Sequence, residues 1–125
     1  MSMQNADSLL DSKQEIDGVN LVTNKYEGMD MDTLREAADS LRDKLENGVV
    51  VLANVNEGKI NFVATASKEA ISKGVHAGNL VREVSKIAGG KGGGRPNMAQ
   101  AGASDPSKLD EALSIAVDVL KSQIK

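Results

Sequence analysis

Between Gly89 and Gly102 the chain reads Gly-Gly-Lys-Gly-Gly-Gly-Arg-Pro-Asn-Met-Ala-Gln-Ala-Gly, and no other stretch limits its fold so tightly. The stretch holds six of the chain's twelve glycines and one of its two prolines. A backbone without Cβ atoms can bend where other residues cannot, and can lie close to a flat or phosphorylated partner. The composition also fits a flexible linker. Helical patterns flank the run closely on both sides, however, and it passes directly into the small apolar Met98-Ala99-Gln100-Ala101. That context favours a loop held between packed elements. Lys91 and Arg95 place positive charge within the run, and Pro96 fixes its own φ and biases Arg95 towards an extended backbone. Successive glycine amides can form an anion-binding nest. The run does not match the phosphate-binding Gly-x-x-x-x-Gly-Lys-Ser/Thr loop, because Arg95-Pro96 follows Gly94 and supplies no hydroxyl for a magnesium ion.

The packed elements around this run must come from 125 residues, enough for one domain with at most a short appendage. Aromatic residues make up 2% of the chain, Tyr26 and Phe62, so the core is built from Leu, Val, Ile, Ala and Met. There is no cysteine and a single histidine, His76, which excludes disulfides, thiolate zinc sites and multi-histidine metal centres in this chain. No apolar run approaches the roughly 18 residues of a membrane span, and the polar start is no signal peptide. Cytoplasm is the simplest expected compartment, with no membrane partner.

Charge is unevenly spread. Residues 1–47 carry eleven acidic and five basic side chains, whereas residues 48–125 carry seven and ten. Between 59 and 95, Lys59, Lys68, Lys73, Arg82, Lys86, Lys91 and Arg95 are opposed only by Glu69 and Glu83. Such a local excess around bare backbone favours phosphate-bearing partners even in an acidic chain. For any single lysine an ordinary solvated surface is the commoner reading.

Taken in order, Met1 to Glu15 is polar with a sparse apolar stripe, Met3, Ala6, Leu9 and Leu10, as at the frayed end of a helix. Val19 to Tyr26 is rich in β-branched residues and predicts a strand. Asp30 or Asp32 can cap a helix whose face is Leu34, Ala37, Ala38, Leu41 and Leu45, ended by Asn47-Gly48. Val49 to Val55 is a continuous apolar run, the pattern of a strand buried on both faces. Asn56-Glu57-Gly58-Lys59 turns it into a returning strand, Ile60 to Thr65. Ala66 to Gly74 predicts a single helical turn and loop. A helix from about His76 to Ala88 packs Leu80, Val81, Val84 and Ile87. After the glycine run, Met98 to Ala101 is a short buried strand or an extended connection. Asp105-Pro106 then starts a helix that carries Leu109, Ala112, Leu113, Ala116, Val117, Leu120 and Ile124 to the end. The expected fold is α/β (α+β), with a small mixed or mainly antiparallel sheet flanked by helices.

Four segments in this order also resemble a known family: Asp30-Met31-Asp32-Thr33-Leu34-Arg35, Leu41-Arg42-Asp43-Lys44-Leu45, His76 to Val84, and Gly92 to Gly102. Together with Asp105 to Leu113, they resemble the DHHA1-type C-terminal domain of bacterial alanyl-tRNA synthetases over about residues 16–125. Residues 1–15 are then the end of a helical connector. The resemblance implies a tRNA-binding module that contacts the elbow of the L-shaped tRNA and bridges the aminoacylation and editing domains. Its implied partners are tRNA, alanine-specific in the parent enzyme, and the remaining synthetase domains, with a homodimer as a further possibility. ATP, zinc and magnesium belong to other parts of the parent enzyme, and this fragment holds no cofactor of its own. The sister family is the substrate-binding domain of DHH-type phosphoesterases, which act on short or cyclic nucleotides. There the glycine run ends in histidine, and Arg95 favours the synthetase branch. Ala103 stands where the family more often has a second glycine, and would be strained if that site required a positive φ.

The candidate tRNA-binding residues are Lys91, Gly92, Gly93, Gly94 and Arg95, with Arg82 and Lys86 nearby; no residue is assigned as catalytic or as a metal ligand. Arg95 serves equally well as a structural fork bonding loop carbonyls. Gln100 reads as a buried amide that fixes the loop, and His76 as a cap or surface residue. Arg82 and Lys86, together with Lys73, are also compatible with a solvated helix face.

Overall fold

The structure is a computed structural model that describes residues 14–16, 18–44 and 48–124. The expected stripe Met3–Leu10, Leu45 and the helix stop at Asn47 lie outside the described residues. Gln14 and Glu15, the last residues of the expected helical connector, begin strand β1 (Gln14–Ile16), which pairs antiparallel with β2 (Val19–Glu27). Helix α1 (Met31–Lys44) crosses over to β3 (Gly48–Asn56), which runs parallel to β2. β4 (Lys59–Ala66) returns beside β3 through a two-residue turn in which Glu57 and Gly58 both have positive φ. That is the turn whose twist matches a hairpin. Next come the short helix α2 (Lys68–Ser72), helix α3 (Ala77–Ile87), strands β5 (Lys91–Gly94) and β6 (Met98–Ala103), a 3-10 turn at Pro106–Lys108, and helix α4 (Leu109–Gln123).

The strands form one mixed sheet in the order β1-β2-β3-β4-β6-β5. Among the described strands, β2 and β3 are the one neighbouring pair that runs parallel, joined by the α1 crossover. Helices cover both faces unequally. On one face α3 and α4 pack over Val19, Leu21, Val49, Val51, Phe62 and Ala64, with the β6 alanines Ala99, Ala101 and Ala103. On the other, α1 alone packs Leu34, Ala38 and Leu41 against Val22, Val50, Leu52 and Val63. Val49 to Ala53 is fully buried because β3 lies at the centre with a helical layer on either side, as its unbroken apolar run predicted.

The helix ends follow their caps. The Asp30 carboxylate accepts from the Thr33 amide at 2.8 Å, so Asp30 rather than Asp32 starts α1. Asp105 accepts from the Ser107 amide and Pro106 opens the 3-10 turn, as the Asp-Pro pair predicted. His76 caps α3 by accepting from the Asn79 amide at Nδ1, 3.1 Å away. Phe62 is core, whereas Tyr26 is only half-buried against the α1 layer. Ala103 does not have a positive φ: it is an ordinary strand residue, 8% exposed in the core, and alanine there is unstrained.

Candidate nucleic-acid interface

The glycine run is a strand, not a loop. Lys91–Gly94 is the edge strand of the sheet, paired with β6 in the register Lys91–Gly102, Gly92–Ala101, Gly93–Gln100 and Gly94–Ala99. The reason is steric. A Cβ built on Gly90 would stand 2.0 Å from the Gly102 carbonyl oxygen, one on Gly92 2.3 Å from the Ala101 Cβ, and one on Gly94 2.9 Å from Ala99. Every second residue of the strand thus presses its α-hydrogens against β6, closer than any side chain permits. The same closeness extends to α3, where a Cβ on Gly78 would lie 2.4 Å from the Gly94 oxygen. Glycine at both positions lets helix and strand backbones touch.

The turn that follows is clasped on every side. The Arg95 amide donates to the Met98 carbonyl at 3.0 Å, and the amides of Ala77 and Gly78 donate to the carbonyls of Pro96 and Arg95 at 2.9 and 3.2 Å. The Ala66 amide donates to the Asn97 carbonyl at 3.1 Å. The first amides of α3 are therefore satisfied by this turn and by His76, and none is left to hold an anion. The nest expected of consecutive glycine amides is also absent from β5. An extended strand points its amides alternately to opposite sides, so they do not converge. Positive charge at this site comes from side chains.

Those side chains fall into two groups on either side of β5. The alanines of β6 face α3 and α4, so Met98, Gln100 and Gly102 face the opposite way. By register Lys91 shares that outward face with Gly102, and Arg95 continues the alternation. Lys91 and Arg95 are exposed, and among the described residues neither forms an ion pair. Arg82 and Lys86 lie one and two helical turns beyond Gly78, on the edge of α3 that adjoins β5. Both are exposed and share one carboxylate: Glu83 lies 3.8 Å from Arg82 and 3.2 Å from Lys86. Exposed pairs of this kind hold their partners weakly.

A family model for the DHHA1 domain matches residues 18–122 of this chain. The C-Ala domain of Aquifex aeolicus alanyl-tRNA synthetase superposes with a TM-score of 0.81 at 36% identity, covering 88% of this chain and 98% of that one. The chain belongs to the DHHA1 family. It is of the alanyl-tRNA synthetase C-terminal type: the alanine–tRNA ligase of Clostridioides difficile (strain 630) is 70% identical over all 125 residues. The chain spans about 14% of that relative's length. A Vibrio pGpG-specific phosphodiesterase shares the DHHA1 fold at a TM-score of 0.53 and 10% identity, a likeness of fold alone.

Two features of this DHHA1 domain were not read from the sequence. Asn54, fully buried, clamps the β2–α1 loop: its amide donates to the Met29 carbonyl at 2.6 Å and its oxygen accepts from the Met29 amide at 2.9 Å. The second is the uncovered part of the sheet. Because α1 packs over β3 and β4 and reaches β6 only at Met98, no described residue covers the rest of the β6–β5 end of that face, and Asn61 and Gln100 stand there half-buried. Gln100 is thus a surface amide on a strand and not a buried loop anchor. Period-two alternation within Ile60-Asn61-Phe62 marks Asn61 as facing away from Phe62, but nothing local says that this face lacks a helix.

Proposed function

We propose that this domain is the tRNA-binding module of an alanyl-tRNA synthetase, docking on the elbow of folded tRNA and holding it in common reach of the aminoacylation and editing domains. The observation that supports it most directly is the edge strand β5, three of whose four residues are glycine, with Lys91 at its start and Arg95 just past its end, neither of which has an acidic partner among the described residues. A strand without side chains lets a rigid, bulky partner approach the backbone, and the adjacent cations meet phosphates. Arg82 and Lys86 extend the positive rim on the helix side and can exchange Glu83 for phosphate oxygens at little cost. Membership of the synthetase branch supports tRNA as the partner. Structured RNA is recognised largely by shape and backbone contact, which suits a surface of this kind.

The test is a titration of labelled tRNA against the chain, with a linear RNA of equal length as control. Wild type should prefer tRNA, and affinity should fall as salt rises. Lys91→Ala and Arg95→Ala should each weaken binding with the unfolding midpoint unchanged. Equal affinity for the linear RNA would reject shape recognition. Salt-dependent binding that neither variant alters would move the site to another face.

A further inference from the structure

The bare end of the α1 face has a composition of its own. Asn61 on β4 pairs with Gly102 on β6, which pairs with Lys91 on β5. One step along, Val63 pairs with Gln100, which pairs with Gly93. Two carboxamides therefore stand diagonally on neighbouring strands, each with a glycine beside it. Among the described residues neither carboxamide has a hydrogen-bond partner. Lys59, Lys91 and Arg95, all exposed and without ion pairs, border the patch. Asp32, Glu36 and Asp39 lie beyond Met98, on the far side from Lys91, with Arg35 among them; Asp32 pairs with Arg35 and Asp39 with Arg42.

Gly102 separates this patch from mere fold requirement. The glycines at 78, 90, 92 and 94 are each enforced by an atom under 3.0 Å away. At Gly102 a Cβ would meet nothing nearer than the Ile60 carbonyl oxygen, at 3.9 Å, an ordinary contact, and its φ is not positive. The sheet would tolerate, and by propensity prefer, a larger residue there. Glycine at 102 keeps the floor between Asn61 and Lys91 flat although packing does not ask for it.

We infer that this open sheet face recognises an exposed nucleobase, with Asn61 and Gln100 reading its polar edge and Gly102 forming the floor it lies against. The inference rests on the tRNA-binding reading and assigns the base-contacting part of that same surface. A carboxamide offers a donor and an acceptor side by side, the pattern that pairs with base edges. The cations at the rim take the flanking phosphates. Phosphate contacts set affinity and its salt dependence, whereas base contacts add discrimination without a salt term.

The test compares Asn61→Ala, Gln100→Ala and Gly102→Val with Lys91→Ala in the same tRNA titration, run at several salt concentrations, with chemical probing of base edges on the bound tRNA. The two amide variants should each weaken tRNA binding roughly five- to a hundredfold. The slope of log affinity against log salt should stay as in wild type, and at least one base should lose its protection. Lys91→Ala should instead reduce the slope by about one unit. Gly102→Val should keep the wild-type unfolding midpoint and still lose tRNA affinity. Wild-type affinity and base protection in both amide variants, with Lys91→Ala impaired, would overturn the inference and leave the tRNA-binding reading standing. Absence of tRNA binding by wild type would end both. If Gly102→Val does not fold, the amide variants decide alone.

Discussion

At the scale of single residues, the sharpest contrast is between glycines that the fold enforces and one that it does not. Gly78 is the second residue of α3, and helix propensity by itself favours alanine over glycine. The Gly94 oxygen stands 2.4 Å from where its Cβ would be, and that oxygen belongs to backbone held by β6 and cannot step aside. Gly78→Ala should therefore destabilise the domain, by about 1–3 kcal/mol as overpacking does. A urea titration showing equal or greater stability would mean that α3 and β5 are not in backbone contact. Asp30 supplies the titration counterpart. The Thr33 hydroxyl, and after it the Thr33 amide, hold the Asp30 carboxyl below its ordinary value of 3.8. The charged cap thus stabilises α1 at pH above 3.8, and the effect is lost as pH falls through the lower folded-state value. In thermal melts across pH, Asp30→Ala should be less stable than wild type near neutrality and converge with it in acid. A constant gap down to the lowest pH would show that the cap acts without its charge.

At the scale of elements, α1 and the glycine strand show opposite kinds of legibility. The face Leu34, Ala38 and Leu41 was readable as a helical stripe, and it is buried because Val22, Val50, Leu52 and Val63 lie beneath it. This is the smaller of the two core layers, held by one helix. Leu41, 2% exposed, should cost about 2–5 kcal/mol when cut to alanine. A shift in the denaturation midpoint of less than half a unit of denaturant, at unchanged slope, would place Leu41 outside a core. The glycine run, by contrast, carried no strand signal. Strand propensity resides in side chains, and β5 has almost none. It is a strand because β6 offers a ladder and α3 a backbone to lean on, both of them partners distant in sequence.

At the scale of the whole molecule, the sheet is covered unequally, and that inequality decides where a partner can sit. Among the described residues, two helices close one face, and α1 closes half of the other and leaves most of the β6–β5 end open. The open end is bordered by Lys59, Lys91 and Arg95, while α1 sets four carboxylates against three cations on its side of the sheet. The chain spans about 14% of the length of the Clostridioides difficile alanine–tRNA ligase. Purified free of synthetase, it should neither activate alanine with ATP nor charge or deacylate tRNA. Alanine-dependent ATP turnover that follows the chain through successive purification steps would defeat that expectation.

Periodicity and capping determined the elements. The spacing of leucines on α1, the unbroken valines of β3 and the Asp-Pro start before α4 are local patterns whose physics is complete within a dozen residues. Order along the chain supported an α/β fold with a mixed sheet, and the motif segments supported its family. Tertiary structure alone decided the rest. It turned a glycine run into an edge strand, because close backbone packing is a relation between β5, β6 and α3. It separated Arg82 and Lys86 from Lys91 and Arg95, since these residues are close in sequence but stand on different elements. It also left Asn61 and Gln100 diagonal to each other on a sheet face that no described helix covers, thirty-nine positions apart in sequence, because sheet register and the reach of α1 are settled only when the whole chain packs.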